Sequence, residues 1–274
     1  MLSYRHAFHA GNHADVLKHA ALALLLTALA RKDKPFVCID THAGAGRYDL
    51  TDERARKTDE AARGVLHWWT STAAPLQPWL EVVRVLNPDG TPRWYPGSPV
   101  LARQLLRAGD RLQLCELHPT DHAALTQEFA GDPAVRIERA DAYVKLKAWL
   151  PPPERRGVVL IDPPYELKSE EAQVVDTLVT AHRRWATGVY VVWYPVLTRL
   201  AAQRFVERLA ATGIRRQLNI EYLPAMDEPD VGLKGSGILV VNPPYRFEHE
   251  LEALAGVLAE GDPARARVRW VVGE

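Results

Sequence analysis

The sequence predicts an α/β fold built on a mostly parallel sheet. Three observations carry this reading: apolar strand-like runs recur along the chain, helix-like stretches separate most of them, and acidic residues close several of the runs. Strands that alternate with helices form βαβ units, and these build parallel sheets. Such sheets bind ligands beyond the carboxyl ends of their strands. Asp40, Glu116 and Asp162 fall at those ends.

The predicted strands are 36–40 (FVCID), 111–116 (RLQLCE), 135–138 (VRIE), 158–162 (VVLID), 189–193 (VYVVW), 216–222 (RQLNIEY) and 237–242 (GILVVN). Helices are expected over 119–129, 169–185 and 197–211. The run 20–30 (AALALLLTALA) imitates a signal peptide. It is too short to span a membrane, which needs about 20 apolar residues, and it reads as a buried helix. Asn12 can cap its start, Asp15 sits in the first turn, and 31–34 with Pro35 close it.

Glu116 stands far beyond the first glycine turn, against about 20 residues in a minimal dinucleotide-binding unit. An insert at about 48–96 explains the gap. It starts with mixed charge, carries Trp68, Trp69 and Trp79, and ends in NPDGTPRWYPGSP. It is expected to form a small helical subdomain that covers the site or grips substrate.

The bulk composition is that of a soluble protein. Of 274 residues, 47% are hydrophobic and 25% charged, and the net charge is +0. That excludes a strongly basic binder of nucleic acid but leaves room for a local basic face. Cys38 and Cys115 sit inside apolar runs and have no zinc or disulfide spacing. A reducing, cytoplasmic setting fits.

Residues 40–46 (DTHAGAG) follow the first strand. Gly44 and Gly46 let the backbone approach a ligand, and the next helix presents free N–H groups. Asp40 can hold the ammonium of an amino-acid cofactor. Glu116 can accept both ribose hydroxyls of a nucleoside. Asp141, after the third strand, can accept from an adenine amine. Together they outline a nucleoside pocket.

Asp162-Pro163-Pro164-Tyr165 closes the fourth strand. An aromatic amine is a poor nucleophile because the ring delocalises its lone pair. A carboxylate taking one N–H and a backbone carbonyl taking the other draw the nitrogen toward sp³ and free that pair. The prolines fix the backbone that carries the carbonyl. Tyr165 offers a face for the base. Asp162 need not be a strong base, because the amine becomes acidic only as the new bond forms.

With DTHAGAG, ELHP, ERAD and IDPPYE in this order, the chain resembles the RlmJ family, the large-subunit ribosomal RNA adenine-N6 methyltransferases. MLSYRHAFHAGNHADVLKH at the N-terminus, YPGSP, and ATGVYVVWYPV match as well. The resemblance covers nearly the whole chain. It implies one Rossmann-like class I methyltransferase domain with a seven-stranded, mostly parallel sheet, the inserted subdomain and an N-terminal segment 1–34 serving substrate and cofactor. It also implies S-adenosylmethionine as cofactor and an adenine in a 23S rRNA hairpin as target. Carried over position by position, it implies cofactor contacts from His19, His42, Ser98, Glu116, Asp141 and Ala142, with Asp162 at the methyl end. Ala142 stands where the family usually has glycine. Tyr4, His6 and Lys18 match residues that meet substrate.

A second motif, Asn242-Pro243-Pro244-Tyr245, also follows an apolar strand. In a seven-stranded methyltransferase sheet the last strand runs antiparallel, so this end points away from the pocket and reads as a structural turn. His6, His9, His13 and His19 crowd the N-terminus. They lack the ordered spacing of a metal site, and no metal is expected. Arg5, Lys18, Arg31, Lys32 and Lys34 are candidates for phosphate contacts. The rival readings are a DNA-adenine or protein-glutamine methyltransferase, a non-catalytic RNA-binding protein on the same fold, and a nicotinamide oxidoreductase, which the missing third glycine disfavours. A monomer is expected, since no heptad or interface stripe appears.

Overall fold

The computed structural model describes residues 6–167, 169–229 and 232–273. Tyr4 and Arg5 lie outside the described residues. The chain enters through a 3-10 turn (His6–Phe8) and the long helix α1 (His13–Ala30), which leads to β1 (Val37–Asp40). Next come β2 (Arg47–Asp49), α2 (Glu53–Thr58), α3 (Val65–Trp68), α4 (Gln77–Val85) and β3 (Trp94–Pro96). Helices and strands then alternate: α5 (Ser98–Leu105), β4 (Arg111–Cys115), α6 (Pro119–Glu128), β5 (Val135–Glu138), α7 (Ala142–Trp149), β6 (Gly157–Ile161), α8 (Glu170–Arg184), β7 (Val189–Val196) and α9 (Arg199–Ala210). The last elements are β8 (Gln217–Tyr222), β9 (Gly235–Val241), α10 (Phe247–Leu258) and β10 (Ala266–Val272).

The main sheet has the order β10-β8-β9-β7-β6-β1-β4-β5. The pairs β7–β6, β6–β1, β1–β4 and β4–β5 are parallel. β9 runs antiparallel to both β7 and β8. The sheet therefore has eight strands, one more than expected. The extra strand is the edge strand β10, antiparallel to β8. Its ARVRWVV pattern alternates in period two, but it lies beyond the strand that sequence reading took to be the last. A separate two-stranded ribbon, β2–β3, brackets the long insertion.

Alternation along the strands sends side chains into two cores. Cys38, Leu112, Leu114, Val158 and Leu160 pack with α1, α4, α5 and α10. Val37, Ile39, Val159 and Ile161 pack with α7, α8 and α9. By composition α1 could cross a bilayer, yet 78% of it is buried inside the structure, the condition of a core helix. Asn12 caps it, its side chain accepting the Asp15 N–H. Each leucine buried along it contributes about 1.5–3 kcal/mol.

Trp79, Leu80, Val83 and Tyr95 join the same core as α1, so residues between β2 and β3 share that packing. The contact runs through backbone at Gly64. A Cβ there would meet Gly11 O at 1.9 Å, and Val65 N–H donates to the same oxygen at 2.7 Å. No residue larger than glycine fits this approach.

Candidate active site

The register aligns the ends of β1, β4 and β6: Asp40 lies opposite Leu114 and Leu160. The turns that follow therefore meet in one crevice, at the switch point where the chain leaves β1 toward strands on either side. Thr41 N–H donates to Leu160 O and Ala43 N–H to Cys115 O, stitching the glycine turn to both neighbours.

Asp40 is buried at 1% exposure. Its Oδ2 accepts the Ser98 hydroxyl at 2.6 Å and its Oδ1 accepts His42 N–H at 3.1 Å. Burial raises its pKa to about 6; the Ser98 hydrogen bond opposes the rise and the charge of Asp162 adds to it. Ser98 opens α5, and Gly97 N–H anchors that helix start to Gly46 O at 2.7 Å. Gly44 and Gly46 both sit at positive φ, 63° and 84°.

Glu116 is half-buried and already engaged. Its Oε2 accepts Gly44 N–H at 2.8 Å and its Oε1 accepts His118 N–H at 2.7 Å. Burial pushes its pKa up. Each oxygen keeps a further lone pair for a hydroxyl donor. Asp141 is exposed and caps α7, one oxygen taking Tyr143 N–H at 2.9 Å. Ala142 is buried beneath it.

Burial lowers the His42 pKa to about 4, so the ring is neutral at neutral pH. Thr41 Oγ1 gives its proton to Leu160 O and lies 2.8 Å from His42 Nδ1. His19 is also buried and neutral, its pKa lowered to about 3 by burial. Its Nδ1 bonds Tyr95 Oη at 2.7 Å, while its Nε2 is buried without a hydrogen-bond partner.

Asp162 follows β6. Its Oδ2 accepts from Lys18 Nζ at 2.7 Å. Lys18 also reaches Asp15 Oδ1 at 3.0 Å and lies over the Trp193 ring, 5.7 Å from its centroid. Asp15 Oδ2 accepts from His6 Nε2 at 2.9 Å and from Gly11 N–H at 2.8 Å. Pro163 is buried. Tyr165 adopts φ 52°, a left-handed conformation that costs a non-glycine residue about 1–3 kcal/mol. Its hydroxyl donates to Trp193 O at 2.7 Å, and its ring packs on Trp193 and Phe205.

The crevice thus gathers His42, Gly44, Gly46, Ser98 and Glu116 around the end of β1. Lys18, His6, Asp162 and Tyr165 are joined beside them through hydrogen bonds and ring contacts. Arg31, Lys32 and Lys34 lie elsewhere, between the end of α1 and the start of β1, at the opposite end of the sheet. Arg31 pairs there with Glu250 at 2.8 Å. Among the described residues, no group of three or more His, Cys, Asp or Glu side chains is arranged to hold a metal ion. His9 instead binds Glu60 at 2.8 Å. Sequence reading missed Asp15, Thr41, Tyr95 and Trp193. Asp15 carried a signal, an acid beside the first turn of an apolar helix, but that signal is also the ordinary mark of a helix start.

The second proline motif is at the far end. β9 is antiparallel to β7, so Asn242 emerges away from the crevice. Its amide donates to Ala186 O at 2.8 Å and Gly188 O at 2.9 Å, and Tyr245 is 86% exposed.

Comparison with known proteins places the chain in a family. The family described as "Ribosomal RNA large subunit methyltransferase D, RlmJ" matches residues 33–272. The chain belongs to this family. "Ribosomal RNA large subunit methyltransferase J" of Escherichia coli (strain K12) is 46% identical over 280 residues, covering 100% of both chains. The protein of the same name from Haemophilus influenzae is 42% identical, covering 99% of this chain and 98% of its own. A crystal structure of a Legionella pneumophila protein superposes with TM-score 0.87 at 36% identity, over 97% of this chain and 99% of that one. The chain is a methyltransferase.

Proposed function

We propose that this chain transfers the methyl group of S-adenosylmethionine to the N6 amine of an adenine in a 23S ribosomal RNA hairpin, acting as a monomer in the cytoplasm. The observation that carries the reading is the Asp162 carboxylate: it stands beside the glycine crevice and already accepts an N–H donor, the Lys18 ammonium, at 2.7 Å.

The residues present fit the cofactor. The positive-φ glycine turn leaves room for a close ligand, Glu116 keeps lone pairs for ribose hydroxyls, and Asp141 keeps one oxygen for an adenine amine. The buried, unpartnered His19 Nε2 is a polar atom in want of a partner. Asp40, with Ser98, suits the cofactor's ammonium. S-adenosylmethionine, when bound, supplies a sulfonium methyl open to attack.

The chain's own residues prepare the nucleophile. Asp162 takes one N–H of the target amine, and the backbone held by Pro163 and Pro164 takes the other through a carbonyl. This restores the nitrogen lone pair, and positioning supplies much of the rate. Tyr165, fixed by its bond to Trp193 O, gives the base a rigid aromatic neighbour. The proton leaves toward Asp162 as the N–C bond forms. His6 and Lys18 serve substrate at this end, and Tyr4, outside the described residues, serves substrate with them. The base must be turned out of its stack to enter, and the insertion at about 48–96 covers the site or grips substrate.

The test offers methyl-labelled S-adenosylmethionine with unmodified ribosomal RNA, duplex DNA and total protein in parallel. Label recovered as N6-methyladenosine from RNA alone supports the reading. Label in DNA or protein overturns the substrate, and bound cofactor with no transfer to any of the three favours a non-catalytic RNA-binding role.

A further inference from the structure

Asp15 is 1% exposed, and its carboxylate is the meeting point of three parts of the molecule. One oxygen accepts from His6 at 2.9 Å and from Gly11 N–H at 2.8 Å, which ties down the chain before α1. The other receives Lys18 Nζ at 3.0 Å and lies 4.0 Å from His19 Nε2. Lys18 in turn reaches Asp162 at 2.7 Å. Burial alone would push the Asp15 pKa up, but His6 and Lys18 beside it outweigh burial and hold it well below the usual carboxylate range. A buried carboxylate is retained only when such donors surround it.

Lys18 thus bridges two acids, and the acid at its outer end is the one that must receive the target amine. A lysine held by Asp162 alone would be drawn fully onto that carboxylate and compete with the amine for it. Asp15 supplies a second anchor of nearly equal reach. With Asp15 in place, Lys18 can neutralise the crevice while leaving Asp162 oxygen positions to an incoming N–H.

We propose that Asp15 is a positioning residue for methyl transfer: it sets the Lys18 ammonium relative to Asp162 and registers the His6 segment to the same point. This rests on the reading of Asp162 given above. Asp15 touches neither the base nor the methyl group and acts only through Lys18 and His6.

The test compares wild type, Asp15→Asn, Lys18→Met and the double variant, with methyl-labelled S-adenosylmethionine and transcribed ribosomal RNA. It reads kcat, the KM for each substrate, the melting temperature and the identity of the product. Asp15→Asn is expected to stay folded and to lose about 100-fold in kcat, the scale of a small misplacement at the reacting centre. The KM for S-adenosylmethionine is expected to stay within about threefold, because Glu116 and Asp40 are untouched. The double variant is expected to be no slower than Lys18→Met, since Asp15 acts through that lysine. The proposal is overturned if a folded Asp15→Asn keeps kcat within about twofold of wild type, if kcat and cofactor KM worsen together, or if the two losses multiply. Should Asp15→Asn fail to fold, the double variant, which removes both buried charges, is compared with Lys18→Met. Equal rates support the proposal; a further loss, or failure to fold, overturns it. A wild-type product other than N6-methyladenosine overturns the underlying reading of the site and the proposal with it.

Discussion

Lys18 and Asp162, 144 positions apart in sequence, are joined by a 2.7 Å ion pair between the first turns of α1 and the end of β6. The pair spans the join between the N-terminal segment and the crevice. In the function proposed above it also separates two roles: Asp162 would serve the target amine, while Glu116, Asp40 and the glycine turn would serve the cofactor.

Asp162→Ala is therefore expected to reduce transfer by about 1,000-fold or more, the scale of losing a group that acts on the nucleophile. Cofactor affinity measured by calorimetry should change by less than about tenfold. Near-wild-type turnover in that variant would remove Asp162 from the chemistry.

Asp40 gives a pH dependence with a definite sign. Its folded pKa is raised to about 6, against about 3.9 for a free aspartate. The stability it contributes is present below the unfolded value and is lost as pH rises through about 6. An ammonium ligand requires the ionised form. Cofactor affinity should therefore weaken as pH falls below about 6. Ser98→Ala should move that midpoint upward, because the Ser98 hydroxyl stabilises the carboxylate. Calorimetric titrations across this range check both, and a flat profile would exclude Asp40 as the ammonium's partner.

Much of this was legible in the sequence, for identifiable reasons. β1, β4, β5 and β6 are short apolar runs ending at polar residues, and their order alone sets the crevice at Asp40, Glu116 and Asp162. Asn12 as the cap of α1 was legible because capping is local. β10 was missed although its alternation is plain, because nothing local says that a chain continues past its expected last strand. The Asp15 hub was illegible for a deeper reason. Its partners His6, Gly11 and Lys18 are near in sequence, but Asp162 meets Lys18 only through the packing of α1 on the sheet. The place of Arg31, Lys32 and Lys34 was illegible in the same way: a basic run carries no information about which end of the sheet it reaches.

Gly44 tests the crevice floor. Its φ is +63°, and a Cβ would meet Tyr48 Oη at 2.4 Å, the oxygen that accepts Ala45 N–H at 3.1 Å. Gly44→Ala should cost about 1–2 kcal/mol from backbone conformation, with a further loss from the clash. Tyr48→Phe removes the clashing atom but not the conformational penalty. In that background Gly44→Ala should be milder by about 1 kcal/mol, a coupling that denaturant melts can measure. Strictly additive losses would show that Tyr48 does not press on this turn.

Asn242 supplies the contrast with Asp162. Both residues precede Pro-Pro-Tyr, yet the Asn242 amide spends its two N–H donors on Ala186 O and Gly188 O, bracing the turn into β7 at the far end of the sheet. Asn242 also sits at φ 52°, a conformation asparagine tolerates better than most residues. Asn242→Ala should lower stability by about 1–2 kcal/mol, because the Ala186 and Gly188 carbonyls lose their donors, the first hydrogen bond being exposed and the second part-buried. Turnover of the folded fraction should stay within about twofold of wild type, since the residue lies beyond the reach of positioning effects at the crevice. A melting curve and a rate measured well below the melting temperature separate the two effects. A large loss of turnover at unchanged stability would mean that chemistry reaches this end of the sheet, and that strand direction does not decide between the two motifs.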